Sequence, residues 1–134
     1  MSPAAKRVLP AITTANRHFW CGGADGRLHI LRCANGHWIH PYAARCPTCR
    51  SAEIAPHAVS GAGTVAGFSV NHHPWSPGVE VPYVVAIVEL AEQHDIRLMT
   101  NLPRTPIAEV RVGLPVKVYF EQDGDSWIPL FEAA

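Results

Sequence analysis

The chain is poor in charge of either sign: Asp, Glu, Lys and Arg together make 16% of its 134 residues, and they cancel to a net charge of zero. That balance excludes a nucleic-acid binder relying on bulk positive charge. Long hydrophobic runs are also missing. The longest, Tyr83 to Val88, falls far short of the roughly 20 residues a membrane-crossing helix needs. The first sixteen residues hold two bases but no apolar stretch or small-residue cleavage site, so no secretory signal is expected and the cytoplasm is the expected location. Only four cysteines are present. In a reducing compartment these read as metal ligands or free thiols before disulfides.

What is present begins with 48% apolar residues, enough for a packed core. The zero net charge divides near residue 57. Seven bases face two acids up to His57, giving +5, and four bases face nine acids from Ala58 onward, giving −5. This shift marks two modules. Thr13 to Trp20 predicts a short helix capped by Thr13 or Thr14 and ended by Gly22-Gly23, with Phe19 and Trp20 as anchors. Those two aromatics either glue the arm to the next module or are recruited by a partner. Leu28 to Leu31 alternates as a short strand.

Cys46-Pro47-Thr48-Cys49 is a C-x-x-C knuckle, a turn that points two thiolates at one centre. Zinc needs two more ligands from a facing knuckle. Cys33 supplies one, but Gly36 stands where a second cysteine would follow; His37 comes next, so Cys33, His37, Cys46 and Cys49 form an acceptable tetrahedral set. His40 and Cys21 are reserves for the fourth place. A metal-free remnant and a redox pair are the competing readings, although thioredoxin-like motifs open a helix in a βαβ context that is lacking here. A site filled by four protein ligands is structural, since catalytic zinc keeps an open position.

Beyond Cys49, five strands are expected at Val59–Val70, Val81–Leu90, Ile96–Thr100, Val116–Phe120 and Ser126–Phe131, with a helical turn inside Pro103–Leu114. Five short strands with an insertion between the third and fourth is the pattern of an OB-fold barrel. Phe68, Tyr83, Tyr119, Phe120, Trp127 and Phe131 are expected to point mostly inward. Gly61-Ala62-Gly63 lacks the lysine and the helix of a phosphate loop. Asp123-Gly124-Asp125 is a hairpin turn without the ligand series of a calcium loop. His72 and His73 fall in the loop between the first two barrel strands, where OB-folds often take ligands, but no partner at a catalytic spacing accompanies them.

The succession Phe19-Trp20, Asp25-Gly26-Arg27-Leu28, Arg32-Cys33, Pro41, Cys46-Pro47 with Cys49, Ser60-Gly61 with Gly63-Thr64-Val65, Pro82-Tyr83, Val88-Glu89-Leu90, Gly113 with Pro115-Val116 and Pro129 with Phe131 resembles the acyl-CoA-associated OB-fold proteins, filed as domain of unknown function thirty-five. The resemblance implies a mainly β chain: an N-terminal helical arm (1–28), a rubredoxin-like zinc ribbon (29–57) and a five-stranded OB-fold barrel (58–134). It implies a non-catalytic accessory subunit in a hetro-oligomer with a thiolase-like catalytic subunit, a thiolase, aldolase or acyltransferase, with CoA or acyl-CoA as shared ligand. The ligands it carries over are Cys33, Cys46 and Cys49; His37 is inferred from geometry. The sequence departs from the family at Gly36-His37 and at Gln93-His94-Asp95. Phe19, Trp20, Arg32, Arg45 and Arg50 are the expected contacts to partner or CoA phosphates, since guanidinium suits phosphate. A stand-alone single-strand-binding OB protein and a small zinc enzyme using His72 or His73 are the alternatives.

Overall fold

A computed structural model describes residues 8–134; the first seven residues of the expected arm, with Lys6 and Arg7, lie outside the described residues. Among the described residues no helix is long and apolar enough to cross a membrane. The expected arm helix is shorter than the sequence suggests: α1 spans Arg17–Cys21. Thr13 and Asn16 bond each other's backbone N–H through their side chains, at 2.7 and 3.3 Å, and this local turn displaces the first helical turn. The α-helix ends where the glycine pair begins, with Gly22 as its C-cap. Gly22–Asp25 continues as a 3-10 turn that ends at the left-handed Gly26, and Gly23 is required because a Cβ there would collide with the Phe120 ring.

The strands form two sheets. In the first, β1 (His29–Cys33) is central, flanked antiparallel by β2 (Trp38–Ile39) and β3 (Ile54–Ala58). The sequence signalled only the first of these, shifted by a residue or two. Bonds from Val59 N–H to the Leu28 carbonyl and from Ala34 N–H to the Glu53 carbonyl set the β1–β3 register, leaving Pro56 at a non-hydrogen-bonded position. Its missing N–H therefore faces the open edge, the place a strand tolerates proline.

The second sheet holds β4 (Ala62–Asn71), β5 (Tyr83–Leu90), β6 (Arg97–Asn101), β7 (Pro115–Asp123) and β8 (Ser126–Ala133) in the order β6-β5-β4-β7-β8. All five expected strands are present, and the insertion is a single 3-10 turn, Ile107–Glu109. β4 pairs with β7 at its start and with β5 along its length, changing register between Val65 and Gly67. This bulge lets one strand serve both halves of the barrel. Where β6 meets β8, the Thr100 hydroxyl donates to the Pro129 carbonyl at 3.1 Å.

The barrel core is mostly aliphatic: Val65, Val84, Val88, Leu90, Leu98, Val116 and Leu130 are buried with Phe131. Of the six aromatics expected inside, only Phe131 is fully buried; Phe68 is 40% exposed, and Tyr83, Tyr119, Phe120 and Trp127 are half-buried. A small barrel has no room for six rings, so the larger ones settle at its ends and under the arm. Leu28, just before β1, and Ile30 within it join this core, while Leu31 and Cys33 pack in a second, smaller cluster with Ile39 and Cys46. β1 alternation thus faces the barrel with one side and the knuckles with the other.

Candidate metal centre and its surroundings

The two knuckles face each other across the smaller cluster. Cys33, His37, Cys46 and Cys49 bring one ligand atom each to within 4.8 Å of the others, the one such group of three or more His, Cys, Asp or Glu found among the described residues. Cys33 Sγ lies 3.5 Å from His37 Nδ1 and 3.7 Å from Cys49 Sγ, and Cys46 Sγ lies 3.7 Å from His37 Nδ1. A tetrahedral zinc, about 2.3 Å from sulfur and about 2.0 Å from nitrogen, sets its ligand atoms about 3.5–3.8 Å apart. The donor set and its spacing fit that ion.

The knuckles are unequal. In the second, Arg50 adopts a left-handed φ of 66° and its N–H reaches the Cys46 carbonyl at 2.8 Å. In the first, the left-handed residue is Gly36, φ 90°, and its N–H reaches the Cys33 carbonyl at 3.0 Å. The first turn is thus one residue tighter. The longer histidine side chain after it spans the distance that a cysteine one position earlier would have covered. Backbone N–H groups of His37 and Thr48 point at Cys33 Sγ and Cys46 Sγ, both at 3.4 Å. The Cys49 thiol is drawn down to about 6 by the Asn35 side-chain amide, 3.2 Å away, and next by the Ser51 backbone N–H.

The reserve ligands are elsewhere. His40 lies against Phe19, ring centroids 4.8 Å apart, with Nδ1 buried and without a hydrogen-bond partner. Burial, then the charge of His18, lowers its pKa to about 4. His18 is lowered too, by burial and then by His29, whose Nε2 contacts the Asp25 carboxylate at 3.1 Å. Cys21 approaches the Asp125 carbonyl. His72 and His73 are exposed, and His73 meets only the Trp75 ring among the aromatic contacts.

The five expected contact residues divide. Phe19 is 8% exposed, belongs to the barrel core and also lines the groove beside Trp20. Trp20, edge-on to Phe19, lines an apolar groove of about 410 Å³ with Tyr83, Val85, Met99 and Pro129. Arg32 bonds the Gly36 carbonyl and lies over the Trp38 ring, which ties it to the first knuckle. Arg45 bonds the Arg50 carbonyl, tying the second. Arg50 itself is exposed.

Two residues escaped the sequence reading. Asn35 carried no motif. Gln93 gives and takes one bond each with the Trp38 backbone, at 3.1 and 2.9 Å, extending β2 with a side chain from the β5–β6 turn; neither composition nor spacing signals such a bond.

The sequence profile of the family described as "ChsH2, C-terminal OB-fold domain" matches residues 56–121. A DUF35 domain-containing scaffold protein of Methanocaldococcus jannaschii is 33% identical over 104 residues, 73% of this chain and 72% of that protein. The chain belongs to the DUF35 family. A solved structure titled "Ltp2-ChsH2(DUF35) aldolase" superposes with a TM-score of 0.82 at 35% identity, covering 93% of this DUF35 chain and 98% of that one. The "probable enoyl-CoA hydratase alpha subunit" of Thermomonospora curvata is 37% identical over 134 residues, 98% of this chain. The DUF35 chain spans 41% of the length of that relative.

Proposed function

We propose that this DUF35 chain is a non-catalytic accessory subunit of a CoA-linked enzyme. It docks on a thiolase-like catalytic chain, in a hetero-oligomer, and helps to bind or enclose CoA or acyl-CoA. The observation that carries the reading is the likeness, over 93% of this chain and 98% of the other, to the DUF35 chain of an aldolase that is named together with a second component, Ltp2. A relative named for an enoyl-CoA hydratase points to the same class of thioester chemistry. The metal centre agrees, because four protein ligands leave no position for a reacting water and so give it a structural part. Zinc is the proposed metal. Bound there, it would supply rigidity to a ribbon whose own apolar cluster is small.

In this reading the arm extends to residue 28, the ribbon covers 29–57 and the barrel 58–134. Trp20 and the groove beside it offer an apolar surface to the partner or to an acyl segment, and Arg50, with Arg32 and Arg45 behind it, offers positive charge to CoA phosphates or an acidic partner.

The test is to express a thiolase-like catalytic chain, taken from a neighbouring gene, with and without this one. The two are expected to co-purify, and the catalytic chain alone is expected to lose most of its turnover of acyl-CoA. Full activity without the small chain would refute the accessory role.

A further inference from the structure

The three sulfurs of the metal centre are held differently. Cys33 and Cys46 are buried, 5% and 1% exposed, and each takes a backbone N–H from its own knuckle. Cys49 is only half-buried, and besides the Ser51 backbone N–H it takes a side-chain donor from the facing knuckle, Asn35 Nδ2 at 3.2 Å. An amide hydrogen bond to a thiolate is charge-assisted. Donors of this kind orient ligands and tune how firmly a metal is held.

The tight first turn explains how Asn35 gets there. With Gly36 left-handed at the third position after Cys33, and its carbonyl held by the Arg32 guanidinium at 3.0 Å, Asn35 sits at the apex and its amide crosses to the other knuckle. The departure from the two-cysteine knuckle therefore has two parts. His37 replaces the lost ligand atom, and Asn35 steadies the sulfur that is most open to water.

We propose that Asn35 is a positioning residue of the metal centre, holding the Cys49 sulfur across the two knuckles and slowing release of the metal. This rests on the zinc-ribbon reading above.

The experiment uses the full chain loaded with zinc, alongside Asn35→Ala and Asn35→Asp; the second keeps the side chain's shape but turns an acceptor toward the thiolate. Zinc transfer to a chromogenic chelator is timed, and the cobalt-substituted forms are compared by their sulfur-to-metal absorption bands. Both variants are expected to keep the parent's cobalt spectrum while releasing zinc at least about tenfold faster, Asp faster than Ala. Alkylation of Cys49 by iodoacetamide in the loaded protein is expected to accelerate in parallel. Release within twofold of the parent in both variants would overturn the role of Asn35 and leave the zinc reading intact. So would a variant that cannot regain the parent's cobalt spectrum, since Asn35 would then shape the loop and not the sulfur. A parent chain that binds no zinc would overturn both readings.

Discussion

The ribbon and the barrel are organised by opposite means. Barrel residues Val65, Ala86, Val88, Leu90, Val116, Leu130 and Phe131 are all nearly inaccessible. In the ribbon, the buried cluster is Leu31, Cys33, Ile39 and Cys46, so two of its four members belong to the Cys/His group that could hold a metal ion. One module is driven by apolar area and the other by ligand convergence. β1 belongs to both, with Ile30 in the first cluster and Leu31 and Cys33 in the second.

The sharpest way to break the comparison is to remove the metal. Cys46→Ser, or a strong chelator, is expected to lose backbone amide protection from Ala34 to Ala52 while β4 to β8 stay protected in hydrogen exchange. Structural zinc carries on the order of 10 kcal/mol in isolated peptide sites, far more than this cluster supplies by burial. The converse change, Phe131→Ala, is expected to cost about 3–5 kcal/mol of barrel stability in urea denaturation. If chelation melted the barrel equally, the two modules would not differ in kind.

Acid is the next lever, and it acts at the junction. His40 packs half-buried against Phe19 from the barrel core, with its Nδ1 buried, and its pKa falls from 6.5 to about 4. A basic group with a depressed folded pKa stabilises the fold fully above its unfolded value, and that stability is lost as pH falls from 6.5 toward 4. The contribution lost by pH 5 is about 2 kcal/mol. The difference in urea midpoint between pH 7 and pH 5 is therefore expected to shrink in His40→Leu relative to the parent. An unchanged difference would remove His40 from the account.

The smallest expected effect comes from cutting the side-chain bonds that join the β5–β6 turn to β2. Gln93→Ala removes both bonds to the Trp38 backbone. It is expected to cost about 1–2 kcal/mol in thermal or urea unfolding, and to loosen β2 while the zinc content is unchanged. Loss of zinc in this variant would mean that the ribbon depends on the barrel for its metal.

The parts legible in the sequence were those encoded locally. The C-x-x-C spacing and the strand periodicity after residue 58 each arise from neighbours along the chain, and both are present in the structure. His37 could be named because the turn had to deliver a fourth donor and the next residue could reach. What could not be read was set by tertiary partners. The Thr13–Asn16 side-chain bonds displace the helix start, Trp38–Ile39 is too short to show a period, and Pro56 disguises β3. The aromatics misled because alternation gives a side but not how much room lies on it.

Pro56 has one more consequence, for the manner in which another chain can meet the ribbon. An open edge with every N–H available invites a foreign strand to extend the sheet through its backbone, which accepts almost any sequence. Here the central donor on that edge is missing. A partner approaching β3 must grip by side-chain fit and charge. Recognition at that flank is thereby selective, and copies of the chain are kept from joining edge to edge.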